Sequence, residues 1–112
     1  MNQIIGQKEI PDLVIDGIEL DTAKDFHVFI HNEKIDVIVT LAIIPKLIKT
    51  KILNNELINT LLYVQEPVRL IDGSDDIDCW KMEIKNCTMD YSLGAEGEPC
   101  CYYLTFRNYN NS

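Results

Sequence analysis

Four cysteines and two histidines are the side chains of this 112-residue chain that could hold a metal ion or serve as nucleophile and base. Their spacing argues for neither role. Cys79 and Cys87 are eight residues apart with no Cys-x-x-Cys pair, and Cys100 and Cys101 are adjacent. On a strand, adjacent side chains point to opposite faces, so those two thiols do not share an ion easily. A zinc site from Cys79, Cys87 and one of Cys100 or Cys101 needs a fortunate hairpin alignment, and free buried thiols are the expectation. His27 and His31, on one strand, stand about 13 Å apart at ~3.3 Å per residue. A single metal wants its nitrogens at about 2.1 Å, so the two are expected as surface or turn residues. His27 is the best base for a Cys100 nucleophile, but nothing local supports the pairing and no Gly-x-Ser-x-Gly elbow occurs. Gly94-Ala95-Glu96-Gly97 is acidic and repels phosphate. The expectation is therefore a chain without catalytic residues, cofactor or metal, too short to build a deep cleft, and not an enzyme.

Carboxylates are the more abundant resource. The stretch Asp72-Gly73-Ser74-Asp75-Asp76-Ile77-Asp78 does not follow the EF-hand order, because its glycine is misplaced and no closing glutamate falls at the required offset. It reads as a solvated acidic loop that could meet a basic partner. The whole chain carries 18 acids against 10 bases, a formal charge of −8, and Arg69 and Arg107 are its only arginines. Nucleic acid is bound by clustered cations that displace counterions, so direct nucleic-acid binding is disfavoured. Such a surface favours solubility or a basic protein partner. Aromatic residues gather near the C-terminus, where Tyr102 and Phe106 share the face of Leu104 and are expected inward. Tyr103, Arg107 and Tyr109 are left for contacts, since a tyrosine offers an apolar ring and a polar tip. The expected interface is Asp72, Asp75, Asp76, Asp78, Tyr103, Arg107 and Tyr109.

The elements that must carry these residues are mostly strands. Phe26, Val28 and Ile30 alternate with His27, Phe29 and His31, and beyond Asn32-Glu33 the residues Ile35, Val37, Val39 and Leu41 continue the alternation. A turn centred between Asn32 and Glu33 pairs Ile30 with Ile35, Val28 with Val37 and Phe26 with Val39, so the hairpin 26–44 has one apolar face. Asn32 suits a tight turn; Glu33 stands where glycine is preferred. Leu13-Val14-Ile15 and Ile18-Glu19-Leu20 flank Asp16-Gly17 as a shorter hairpin or a bent edge strand. Pro45 is placed to begin a helix, and apolar residues spaced by four predict that helix over about 46–63, closed by Pro67, with Asn54-Asn55 weakening its centre. Trp80, Met82 and Ile84 alternate with charged residues, Asp90 to Pro99 reads as a loop, and Tyr102, Leu104 and Phe106 form a last strand, giving a C-terminal hairpin over 79–107. The predicted fold is α+β: a single mostly antiparallel sheet of about five strands with one helical segment packed on it, in one domain spanning 1–112.

No apolar run approaches the ~18 residues of a membrane span. Met1 to Gly6 lacks a basic region followed by an apolar stretch, so a cytoplasmic protein with reduced thiols is expected. Lysine, isoleucine and asparagine are abundant, as in translation from an AT-rich genome. Ile15 to Leu20, followed by the strand pair ending Val39-Thr40-Leu41-Ala42-Ile43, resembles small β-proteins of phages from low-GC bacteria, which bears on the source alone. Together these features point to a non-enzymatic protein-binding factor of a phage or mobile element, such as an inhibitor of a host or defence protein or an immunity protein. The alternative is a structural subunit of a virion or assembly making self-contacts as a homo-oligomer, and behind it a small metal- or cysteine-dependent enzyme.

Overall fold

A computed structural model describes residues 12–110 and, over 67–69, the backbone alone; the remaining ends of the expected 1–112 domain lie outside the described residues. Among the described residues the chain runs through β1 (Asp12–Ile15), β2 (Ile18–Glu19), β3 (Ala23–His31), β4 (Lys34–Leu41), α1 (Lys46–Leu53), β5 (Leu61–Arg69), β6 (Asp75–Glu83), β7 (Asn86–Leu93) and β8 (Pro99–Arg107). The strands form two antiparallel four-stranded sheets, ordered β2-β1-β5-β6 and β3-β4-β8-β7. No helix among the described residues is long and apolar enough to cross a membrane.

The β3–β4 hairpin forms in the register its alternation dictates, with Phe26 opposite Val39, Val28 opposite Val37 and Ile30 opposite Ile35. Its two turn residues, Asn32 (φ 50°) and Glu33 (φ 70°), are both left-handed. That is the type I′ turn whose twist matches the strands it joins. Asp16 (φ 51°) and Gly17 (φ 77°) make the same turn between β1 and β2. Asn108 fastens the C-terminal segment to the β3–β4 turn: its side-chain amide donates to the Glu33 carbonyl (3.1 Å) and accepts from the Ile35 N–H (2.8 Å).

The α+β class is as the sequence implies, but two sheets replace the expected single one. The apolar faces cover each other: Leu13, Ile15, Leu62, Val64 and Met82 of one sheet and Val37, Val39, Leu41, Leu104 and Phe106 of the other belong to one buried cluster. A helix of eight residues is too short to cover a whole sheet face. It contributes Ile48 and Ile52 to the same cluster.

The helix is the second correction, for it ends at Leu53 and not near Tyr63. Asn55 turns left-handed (φ 58°), and the N–H groups of Glu56 and Asn55 donate to the carbonyls of Lys51 (2.8 Å) and Ile52 (3.1 Å). This pair of bonds is the Schellman stop, with asparagine in the place usually held by glycine. Leu57 is buried in the following turn, and Leu61 onward is strand, with Leu62 and Val64 inward and Tyr63 outward. Pro67 therefore closes no helix. It sits within β5, opposite Ile77, past the last described pairing of β1 with β5 at Asp12 and Gln65. A proline's missing N–H is tolerated there, at a strand's edge.

The third correction concerns the C-terminal hairpin. The strand carrying Trp80 and Met82 pairs with β5, whereas β8 pairs with β4 and with β7. Asn86 to Leu93, partly read as loop, contains its own alternation: Cys87, Met89 and Tyr91 face Phe106, Leu104 and Tyr102 across the ladder. Between β6 and β7 the chain changes sheets, with the Ile84 N–H bonded to the Thr60 carbonyl just before β5 and the Lys85 N–H to the Arg107 carbonyl of β8. The acidic loop also shrinks. Ile71, Asp72 and Gly73 (φ 89°) turn the β5–β6 hairpin, and Asp75, Asp76 and Asp78 lie on β6 itself.

Candidate functional site

Along β5 and β6 the inward positions begin apolar and end acidic. Leu62 and Val64 are followed two residues on by Glu66, and Met82 and Trp80 are followed in the reverse direction by Asp78. Glu66 and Asp78 are direct cross-strand partners. Like charges in that position repel, at a cost of roughly 0.2–1 kcal/mol. The other sheet does the opposite: the inward face of the β3–β4 hairpin stays apolar to its tip, where Ile30 is 72% exposed.

Where these faces meet they leave an open groove of about 750 Å³ lined by Phe26, His27, Val28, Ile30, Ile35, Glu66, Asp78, Trp80 and Lys81. Its floor is the contact of Phe26 on β3 with Trp80 on β6, ring centroids 6.5 Å apart. The Trp80 indole N–H donates to the Glu66 carboxylate (3.0 Å), which fixes both side chains. β3 and β6 are edge strands, each paired on one side only among the described residues. The groove thus combines an aromatic and aliphatic wall, the two carboxylates of Glu66 and Asp78, the basic side chains of Lys81 and His27 at its border, and two strand edges.

Of the seven residues expected at an interface, Asp78 alone lines this groove. Asp72 accepts from the Ser74 hydroxyl (2.6 Å) and N–H (2.9 Å), bonds that hold its carboxyl below the usual carboxylate range. Asp76 accepts from the Ile77 N–H (2.8 Å), and Asp75 lies at the backbone register position opposite residue 69. Tyr103, Arg107 and Tyr109 belong to the other sheet's side. Tyr103 is exposed and within 3.4 Å of the Ser92 hydroxyl. Arg107 lies 3.7 Å from the Asp36 carboxylate and donates to the Asn86 side chain (3.2 Å). The Tyr109 hydroxyl donates to Asp36 (2.6 Å), which pushes its pKa up, and its ring lies under the Lys34 ammonium (5.1 Å). These two residues anchor the C-terminal segment.

The nucleophiles and bases are scattered. His27 borders the groove with Nε2 3.0 Å from the Asp25 carboxylate, a contact that lowers the Asp25 pKa. Cys79 is exposed on β6, whereas Cys87, Cys100 and Cys101 lie on the other sheet. Burial pushes the Cys87 thiol up to about 12, and the Lys24 ammonium donates to Cys101 (3.3 Å). No group of three or more metal-ligating side chains occurs among the described residues.

Sequence reasoning passed over Glu66, Trp80, Phe26 and Ile30 as a set. The available signal was Glu66: once 61–69 is read as an alternating strand, a carboxylate falls at an inward position. The chain matches no protein-family model, no curated protein and no solved structure.

Proposed function

We propose that this protein is a non-enzymatic binding factor that recognises a basic segment of another protein. The observation that carries the reading is the groove between the β3 and β6 edges, where Phe26, Ile30, Ile35 and Trp80 stand beside Glu66 and Asp78. An apolar floor with a few placed charges is the usual composition of a recognition site. A formal charge of −8 steers basic partners toward it and repels anionic ones. A phage or mobile element, and a role as inhibitor or immunity protein, fit the residue usage and small size.

Self-assembly as a virion or other structural subunit is the second reading, because the edge strand β3 carries the exposed apolar residues Phe29 (56%) and Ile30 (72%). Light scattering separates the two: a monomer favours recognition of another protein, a ring or larger oligomer favours the subunit. The direct test is affinity capture from source-cell lysate with the wild-type chain and with a Glu66→Gln/Asp78→Asn variant in parallel. A stoichiometric basic partner, retained by the wild type and lost by the variant, supports the reading. Capture that ignores the two carboxylates refutes it.

A further inference from the structure

We infer that the partner segment binds as an added strand on the β6 edge, presenting a lysine or arginine opposite Asp78 and an aliphatic side chain opposite Trp80. The inference rests on the groove being a protein-recognition site and specifies how it is read.

β6 is a nine-residue strand whose ladder, among the described residues, is filled by β5 on one side only. Its outer edge offers backbone donors and acceptors to an extended chain, the arrangement that strand-addition modules use for affinity. Pockets for alternate side chains then supply specificity. On β6 those alternate positions are Asp78 and Trp80, both lining the groove. The incoming strand must therefore place a cation and an apolar group two residues apart on its inward face.

Two features select this occupant. β6 reads Asp-Asp-Ile-Asp-Cys-Trp-Lys-Met-Glu, four acids and one lysine, so a second copy laid on this edge meets like charge. A basic strand meets opposite charge. Across the groove, β3 carries a register irregularity between Ala23 and Asp25, which limits the regular edge it offers to residues 25–31, against nine residues on β6. β3 then serves as the apolar wall, through Phe26, Val28 and Ile30, and β6 as the pairing edge.

Trp80 is the chain's only tryptophan, so its fluorescence reports the groove directly. The probe is a capped synthetic peptide in which Lys and Val alternate at inward positions and Thr fills the outward ones. Saturable binding with a blue-shifted Trp80 emission and new hydrogen-exchange protection along β6 is expected. A version with alternate backbone amides N-methylated, blocking one edge, should bind at least about tenfold more weakly. Asp78→Asn should weaken the parent peptide about threefold to fivefold, with circular dichroism unchanged. If the N-methylated peptide binds equally well, strand addition is wrong while recognition of basic segments stands. If no peptide moves Trp80, yet a partner is captured through Glu66 and Asp78, the added-strand geometry is again overturned. A partner whose capture ignores those carboxylates overturns both.

Discussion

Glu33 occupies a backbone position that a side chain resists. It is the second residue of a type I′ turn, at φ 70°, and glutamate has no local hydrogen-bonding habit that eases the left-handed region. The steric cost of that conformation for an L-residue is roughly 1–2 kcal/mol. Glycine escapes it but loses more freedom on folding, which returns about 0.4–1 kcal/mol. Glu33→Gly should therefore stabilise the fold by about 0.5–1 kcal/mol. For a domain of this size that is a rise in melting temperature of about 2–6 °C. The turn's tether survives the change, because Asn108 bonds to the backbone of residues 33 and 35 and not to the glutamate side chain. Urea unfolding followed by circular dichroism checks the value, with the midpoint rising and the slope unchanged. The reciprocal test is Gly17→Ala in the matching turn. A Cβ there meets nothing within 4 Å, so only the φ of 77° opposes it. That variant should lose about 1 kcal/mol or more. If Glu33→Gly is neutral or destabilising while Gly17→Ala behaves as stated, the left-handed turn at Asn32-Glu33 is not the chain's resting geometry and the argument fails.

Four other perturbations test the packing, the thiols and the acid groups. Phe106 is fully buried opposite Val37 and Cys87, so Phe106→Ala should cost about 3–5 kcal/mol by chemical denaturation. Native alkylation with iodoacetamide near neutral pH should label exposed Cys79 and Cys100 well before Cys87, whose thiol is pushed up to about 12 by burial, and mass spectrometry of the digest reads the order. Asp25 and Asp72 have pKa values lowered from 3.8 by bonds to His27 and the Phe26 N–H, and to the Ser74 hydroxyl and N–H. Their stabilising contribution is thus present above 3.8 and fades as pH falls through the lower folded values, so Asp25→Asn and Asp72→Asn should flatten the acid limb of a stability-against-pH curve. Asp78→Val removes the acid facing Glu66 and should raise stability by a few tenths of a kcal/mol while weakening peptide binding at least as much as Asp78→Asn does; a loss of stability instead assigns the acid pair a structural role.

What the sequence made legible was local. The β3–β4 register followed from alternation on both sides of Asn32-Glu33, because a slip of one residue would have turned six apolar side chains to solvent. Residues 53–64 resisted the same logic. Leu53, Leu57 and Leu61 recur every four residues as on a helix, while Leu62 and Val64 alternate as on a strand, and both patterns are apolar. Asn55 decided between them by adopting the left-handed stop, a choice asparagine permits but does not compel. Pairing partners were less legible still. Met82 and Leu104 have equivalent patterns, and only the folded topology assigns one to β5 and the other to β4 and β7. Asp78 could be named from its acidity, but its grouping with Phe26 and Ile30 needed the second sheet.

That second sheet also explains why the groove stands out. Elsewhere the two inner faces agree: Val37, Val39, Leu104 and Phe106 meet Leu13, Leu62, Val64 and Met82 in one dry cluster. At the groove they disagree, since the hairpin brings Ile30 and Ile35 to a place where β5 and β6 offer Glu66 and Asp78. Glu66 satisfies the Trp80 indole N–H, but the facing Asp78 and the exposed Ile30 do not help folding. Extending the apolar pattern through position 78 would cover Ile30 and remove the like charge facing Glu66, so the sandwich could close there with an ordinary residue. A sequence that is consistent along the rest of both sheets and departs from consistency on two facing strands at one site carries a constraint there other than stability. A bound segment bearing both a cation and an aliphatic side chain resolves both halves at once, neutralising the carboxylates and covering the isoleucines.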